Sequence, residues 1–184
     1  MYKSFSLTFD FKPTVNTLAW QTFLHITDGG TGDTRRVMSI WLTPRSFGSS
    51  AMEARMHYEF DGTTSWNGFV GVIPTFLHAP LTMNQWNTFE ITQLFSNGKY
   101  YFSVTCNGIT YSEINEVVHP EVENTNPRDY PSVDVFTSTA GAAPTEGEMR
   151  NLQLCTSATD QPWTGSGKCK IIIRNYLCIL WKSS

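Results

Sequence analysis

Two Asn-Gly pairs lie ten residues apart in the stretch FSNGKYYFSVTCNGITYS, which covers residues 95–112. Asn-Gly supplies positive φ at both central positions of a type I′ turn, whose twist matches that of the strands it joins. The aromatic and β-branched residues between the two pairs favour a strand. The stretch therefore predicts a meander of three antiparallel strands, at about residues 86–95, 99–106 and 109–113.

A second constraint is the strict alternation of apolar and polar residues near the start of the chain. In SFSLTFDFKP the apolar side chains fall on one face of an extended chain, namely Phe5, Leu7, Phe9 and Phe11. Further runs of strand type, bounded by turn residues, occupy residues 18–27, 37–44, 51–62, 68–74, 132–138 and 147–155. No convincing helix pattern is present. Because so many strands cannot stay in one open twisted sheet, we predict an all-β fold, a two-sheet antiparallel β-sandwich.

Composition agrees with this fold class and excludes some partners. Aromatic residues make up 14% of the 184 residues and charged residues only 16%, against about 25% charged in a typical globular protein. The net charge of −3 and the pI near 5.8 give no basic surface for nucleic acid or an anionic membrane. No run reaches the ~18 apolar residues of a membrane-spanning helix. We expect neither nucleic-acid binding nor membrane insertion.

The end of the chain differs from the rest. Residues 156–168 are rich in Ser, Thr and Gly, and an apolar run follows them. We therefore predict a β-sandwich at residues 1–155 and a C-terminal extension at residues 156–184, a loop plus a strand-like segment. The four cysteines allow three pairings if all are bridged, or they are free buried thiols; they are Cys106, Cys155, Cys169 and Cys178.

The order of these features resembles the concanavalin A-like sandwich superfamily and, within it, the laminin G-like modules of extracellular proteins. The resemblance covers roughly residues 4–154. It is carried by the opening FSLTFDFKP and AWQTFLHI, by LTMNQWNTFEITQ with its Leu-x-x-x-x-Trp-x-x-hydrophobic spacing, by YYFSVTCNGITY, and by GEMRNLQL near the end. It implies a jelly roll with one flat and one concave sheet.

Functions in the superfamily range across glycan binding, protein adhesion and β-glucan hydrolysis, and the fold alone does not choose among them. We expect a non-enzymatic recognition module that binds a glycan or an extracellular protein, at the cell surface or outside the cell. The start of the chain alternates polar and apolar residues and so lacks the apolar core of a secretory signal. A single sugar site is typically weak, so a multidomain parent or a homo-oligomer is expected.

Two alternatives stay open. The first is a divergent glycoside hydrolase or lyase with Glu59 and Asp61 as its acids. Retaining hydrolysis requires the two carboxyls to be about 5 Å apart. The hydrolytic branch carries Glu-x-Asp-x-x-Glu, whereas here Thr63, Thr64 and Ser65 follow the pair. The second alternative is a purely structural adhesion module that binds a protein through an exposed apolar patch.

The loop at residues 27–36, TDGGTGDTRR, is the candidate metal site. Asp28 and Asp33 flank three glycines, a composition suited to oxygen ligation of calcium or to a plain hairpin loop. Laminin G-like modules often bind calcium through one Asp from each of two loops, and Asp129 and Asp134 are the candidates for the second. The adjacent Arg35 and Arg36 are candidate ligands for an acidic glycan.

A second candidate site is EFDGTTSWNGF, at residues 59–69. Trp66 stands beside Asn67 and near Asp61, and an indole can stack on a sugar ring while amide and carboxylate groups bond its hydroxyls. The alternative is that Trp66 folds down and caps the sandwich. Trp163 is a candidate protein anchor or packs on the domain. Three tryptophans within strand patterns are predicted to be core: Trp20, Trp41 and Trp86.

Overall fold

A computed structural model of the chain describes residues 3–15, 21–28, 36–44, 52–58, 75–111, 113–114, 117–118, 122–124, 129–130, 133–136, 143–144, 146–157 and 168–178. Within these ranges every helix or strand assigned is a β-strand, and there are fifteen strands in chain order. The described residues therefore contain no helix that is long and apolar enough to cross a membrane. The all-β fold predicted from the alternating pattern is confirmed.

Sheet A has seven strands and contains both ends of the described chain. Its order is β11 (Val122–Asn124), β7 (Lys99–Cys106), β6 (Asn87–Ser96), β1 (Ser4–Pro13), β14 (Gly147–Ser157) and β15 (Lys168–Cys178), with β8 (Ile109–Tyr111) also pairing with β7. All of these pairings are antiparallel. The N-terminal strand is thus central, between β6 and β14.

Sheet B has six strands. Its order is β12 (Asp134–Phe136), β2 (Gln21–Thr27), β3 (Arg36–Pro44), β4 (Met52–Tyr58) and β5 (Thr75–Leu81), with β13 (Ala143–Pro144) also pairing with β2. Among the described strands the β13–β2 pairing is parallel and every other pairing is antiparallel. A separate small sheet consists of β9 (Glu113–Ile114) and β10 (Val117–Val118). The two-sheet antiparallel sandwich is confirmed.

Aromatic side chains of β1 hold the two sheets together. The predicted inner face of this strand is at most 1% exposed at every position, namely Phe5, Leu7, Phe9 and Phe11. The Phe9 ring stacks on Phe89 of β6 at 4.8 Å between centroids, and the Phe11 ring stacks on Phe23 of β2 at 4.3 Å. Because Phe23 belongs to sheet B, this contact joins the sheets. Burial of each such side chain contributes about 1.5–3 kcal/mol.

The two Asn-Gly pairs form the turns that the sequence predicts. Asn97 and Asn107 both have φ of 51°, and the following Gly98 and Gly108 have φ of 79° and 78°. Positive φ at both central positions is the signature of the type I′ turn. The meander of β6, β7 and β8 is therefore confirmed, with β8 ending at Tyr111.

The segment after residue 155 contributes a strand to sheet A. β14 continues to Ser157, and β15 pairs with it along its length. Cys155 is disulfide-bonded, whereas Cys106 is free and buried. The backbone register of β14 with β15 sets Cys169 opposite Cys155. Burial raises the pKa of the Cys106 thiol to about 12. Whether residues 1–155 fold without the extension stays a prediction.

Candidate functional site

Asp129 and Asp134 both lie at one end of the sandwich. Asp129 Oδ1 accepts a 2.8 Å hydrogen bond from the backbone N–H of Lys3, just before β1 of sheet A. Asp134 begins β12 and lies opposite Thr27, the last residue of β2 in sheet B. Tyr130, between the two aspartates, is buried in the core. This segment therefore spans both sheets at one end of the molecule.

The same end carries one of the two predicted calcium residues. Asp28 directly follows β2 and is half-buried, and Asp134 on the neighbouring strand is exposed. Because Asp134 pairs with Thr27, the structure brings Asp28 and Asp134 to neighbouring strand ends. Asp33, the other predicted metal ligand, lies outside the described residues. We call this region, defined by Asp28, Asp129 and Asp134, the aspartate end.

The described residues do not by themselves provide the ligands that a calcium ion needs. Calcium takes about 6–8 oxygen ligands. In the described part of the chain, no three His, Cys, Asp or Glu side chains come together in a group that could hold a metal ion. Asp28 and Asp134 alone thus do not complete a donor set. The remaining oxygens would have to come from backbone carbonyls or from residues of the loop that follows Asp28.

The structure describes only some of the other predicted ligand residues. Arg36 begins β3 and lies opposite Thr27, so its backbone is also at the aspartate end. The structure does not describe its side chain. The remaining candidates lie outside the described residues: Arg35, Asp61, Trp66, Asn67, the alternative catalytic Glu59, and Trp163. Their roles stay predictions.

A polar cluster that the sequence analysis did not predict lies on the outer face of sheet A. Asp10 Oδ1 accepts a 2.8 Å hydrogen bond from Thr88 Oγ1. Asp10 Oδ2 accepts one from Arg150 Nε at 3.0 Å and one from Asn151 Nδ2 at 2.8 Å. One carboxylate on β1 therefore joins side chains of β6 and β14. We call these four residues the Asp10 cluster.

The three donors set the charge state of Asp10. Burial alone would raise the pKa of this carboxyl, because it disfavours the charged form. The hydrogen bonds from Thr88, Arg150 and Asn151, with the positive charge of Arg150, outweigh that effect and hold the pKa below its ordinary value of 3.8. Asp10 is therefore ionised at neutral pH and accepts three hydrogen bonds, which fits a structural anchor better than a proton donor or acceptor.

Trp86 lies against this cluster. The prediction that Trp86 belongs to the core was therefore wrong. It precedes β6, is half-buried, and has the Arg150 guanidinium 3.9 Å from its ring centroid. Lys12 Nζ lies 5.8 Å from the same centroid and pairs with Glu148 at 2.7 Å. Trp41, by contrast, is buried as predicted, with its indole N–H donating to Ser39 Oγ at 2.8 Å.

The Asp10 cluster depends on an irregularity in the pairing of β1 with β14. The register shifts between Thr8 and Asp10, and Asn151 has φ of 55°. A bulge of this kind re-aims side chains, so that Arg150 and Asn151 both reach Asp10. Asn is depleted in strands. An Asn inside GEMRNLQL was thus the one available signal of a bulge, but it did not identify the partner strand.

Comparison with known proteins supports the fold. No family model and no curated protein matches this chain. Among solved structures, the chain is similar to the native heptameric SAP-like pentraxin from Limulus polyphemus, with a TM-score of 0.50 and 12% identity over 89% of this chain and 66% of that one. The chain therefore spans slightly less than two thirds of that pentraxin's length. A polysaccharide lyase of family 18, aly-SJ02, aligns at a TM-score of 0.39 with 10% identity over 74% of this chain and 53% of that one. At these identities the pentraxin shows the jelly-roll fold alone.

Proposed function

We propose that this chain is a non-enzymatic recognition module of the laminin G-like kind, and that its aspartate end binds a glycan or an extracellular protein. The observation that carries the proposal is the pairing of β12 with β2, which sets Asp28 and Asp134 on neighbouring strand ends. Two carboxylates on neighbouring strand ends are suited to bind sugar hydroxyls directly or through a bound cation.

Calcium is the proposed mediator at this end. Asp28 and Asp134 would each supply carboxylate oxygens, as one Asp from each of two separate segments of the chain. The cation would supply a fixed positive charge, at which hydroxyl or carboxylate groups of a ligand complete the oxygen shell.

The disulfide of Cys155 supports an extracellular location, because disulfides persist in oxidising compartments. The pentraxin similar to this chain is heptameric by its description. We propose that this module, too, acts in several copies, as an oligomer or as part of a multidomain protein. Several weak sites on one particle raise the overall affinity without any new contact.

The proposal is tested on a broad glycan array, first with calcium and then with EDTA. We compare the wild-type chain with Asp28→Asn, Asp134→Asn and the control Glu90→Gln. Glu90 is an exposed carboxylate on the outer face of sheet A, and it makes no hydrogen bond or ion pair with the described residues. Calcium-dependent binding should be lost in both aspartate variants and kept in Glu90→Gln, because only the first two remove a proposed cation ligand.

A calcium titration of the thermal midpoint is the second readout. A cation bound only by the folded state stabilises it by about 2.7 kcal/mol at a concentration of 100 times Kd. Calcium should therefore raise the midpoint of the wild type and of Glu90→Gln but not of Asp28→Asn. Glycan binding that survives EDTA and both aspartate variants would contradict this site. If no glycan binds on the array but calcium still raises the thermal midpoint, the ligand of the aspartate end is a protein.

A further inference from the structure

The two Asn-Gly turns of sheet A share one backbone geometry but differ in what holds their asparagine side chains. The φ values of the Asn residues are identical at 51°, and those of the glycines differ by a degree. Both asparagines, Asn97 and Asn107, are exposed, as are Gly98 and Gly108. The turns are therefore a matched pair within one molecule, in which the effect of side-chain contacts can be separated from that of the turn itself.

The Asn107 side chain is held at both ends of its amide. Its Oδ1 accepts a 3.0 Å hydrogen bond from the backbone N–H of Thr88, and its Nδ2 donates to Asn87 Oδ1 at 3.1 Å. Asn87 is itself buried and fixed, since its Nδ2 donates to the carbonyls of Gln85 and Thr82 at 2.9 and 3.1 Å. The Asn107 amide is thus anchored to a rigid part of the fold.

The Asn97 side chain has no such anchor. It makes no hydrogen bond with any residue that the structure describes. The hairpin closes through the pair Ser96 and Lys99, which leaves the Gly98 nitrogen outside the strand ladder. The space around the Gly98 Cα is also open, with no atom within 4 Å of where a Cβ would stand. No hydrogen bond to a described residue therefore restrains the amide carbon of Asn97.

We propose that Asn97 is a site of spontaneous deamidation in the folded protein and that the fold protects Asn107. In this reaction the Gly98 backbone nitrogen loses its proton and attacks the Asn97 Cγ. The bond from Cγ to the side-chain nitrogen breaks, and that nitrogen leaves as ammonia, so a five-membered succinimide forms. Water then opens the ring to aspartate or isoaspartate. Glycine favours the attack because it has no side chain to obstruct it.

Asn107 is protected because two hydrogen bonds of its side chain must break before it can react. Its Cγ can reach the Gly108 nitrogen only after the amide leaves both Thr88 and Asn87. With the net strength of ordinary hydrogen bonds, the loss of two slows the step by about tenfold or more. At Asn97 no corresponding loss is required, so deamidation there should be faster by the same factor.

The reaction at Asn97 would change the charge of a particular region. β6 runs antiparallel to β1, and Gln93 lies opposite Phe5, so the turn after Ser96 lies beyond the start of β1. That is the end of sheet A where Lys3 meets Asp129. Deamidation therefore adds a carboxylate to the aspartate end, whereas Asn107 lies at the opposite end, near the close of β1. The inference itself does not rest on the proposed function.

Timed peptide mapping of the full chain tests the proposal. The folded protein is incubated in mildly alkaline buffer, and the peptides with Asn97 and Asn107 are followed by their mass increase and by isoaspartate detection. A parallel sample is kept unfolded in urea. The third Asn-Gly pair, Asn67 and Gly68, lies outside the described residues, and its own peptide is read separately.

We expect Asn97 to deamidate about tenfold faster than Asn107 in the folded protein, and at a similar rate in urea, where the hydrogen bonds are gone. Equal rates in the folded state would overturn the proposal, as would a faster rate at Asn107. It would also be overturned if neither residue reacted when folded while both reacted in urea, because the hairpin alone would then protect both.

Discussion

At the scale of single residues, Asp10 shows how a charged side chain on the outer face of a strand can stabilise the fold. The alternation of β1 places it on the outer face, where an ordinary aspartate would be solvated. Its side chain is nevertheless only 12% exposed, because Thr88, Arg150 and Asn151 cover it and donate to it. The pattern predicted the face, but the burial depends on two other strands and on a bulge.

We expect Asp10→Asn to lower the free energy of unfolding at neutral pH by about 1–3 kcal/mol, the contribution of hydrogen bonds to a charged group. The folded-state pKa of Asp10 is lowered. Its stabilisation is therefore complete above the unfolded-state pKa, near 3.8, and is lost as the pH falls through the folded-state pKa. Urea titrations at neutral pH and below 3.8 measure both effects.

The variant and the wild type should therefore differ most at neutral pH and converge in acid. Glu90→Gln is the control, because it removes a carboxylate from the same face of β6 that has no partner among the described residues. A difference between Asp10→Asn and wild type that stayed constant with pH would show that the ionised carboxylate is not the source of the stabilisation.

At the scale of elements, local signals were sufficient for some strands and not for others. β6, β7 and β8 were predictable because their pairing is fixed by two short turns with defined chemistry. The apolar run near the C terminus was recognised as strand-like, but its place was not predicted. Its pairing with β14 follows from long-range register. The short strands β9, β10 and β13 have only two residues each and carry no pattern of their own.

Removal of residues 158–184 tests whether β15 is an addition to the sandwich or a part of it. We expect the shortened chain to fold, because the Phe9 and Phe11 stacks join β1 to β6 and β2 without β15. It should be less stable by about 2–4 kcal/mol, since the disulfide of Cys155 is lost. Near-UV circular dichroism and thermal unfolding provide the measurement.

The full chain treated with reductant is the control for this truncation, because it loses the disulfide but keeps the strand. A shortened chain without fixed tertiary structure would refute the predicted boundary at residue 155. It would make β15 an essential strand of sheet A.

At the scale of the whole molecule, fold class was predictable and strand order was not. Period-two alternation in many short runs requires two packed antiparallel sheets, so the architecture followed from the sequence alone. The candidate site could not be predicted from such local patterns. Asp28 was selected by its loop, but its proximity to Asp134 results from the pairing of β12 with β2, which no local pattern shows.

The same long-range pairing predicts slow folding. β1 lies between strands that are far from it in sequence, with Phe5 opposite Gln93 on one side and Thr156 on the other. Sandwiches dominated by such contacts fold in about milliseconds to seconds. Stopped-flow tryptophan fluorescence on dilution from urea should show refolding in that range. Complete refolding within microseconds would contradict a rate limited by these contacts.

The central place of the first strand has a consequence for the newly made protein. A ribosome adds about 5–20 residues per second, so the aromatic segment around Phe5 and Phe9 emerges on the order of ten seconds before β14 is complete. During that interval the edge of β1 that pairs with β14 has no native partner. An exposed strand of this kind binds other chains readily. The β1 segment is therefore especially exposed to misassociation until β14 is made, and a holding chaperone should bind there during that interval.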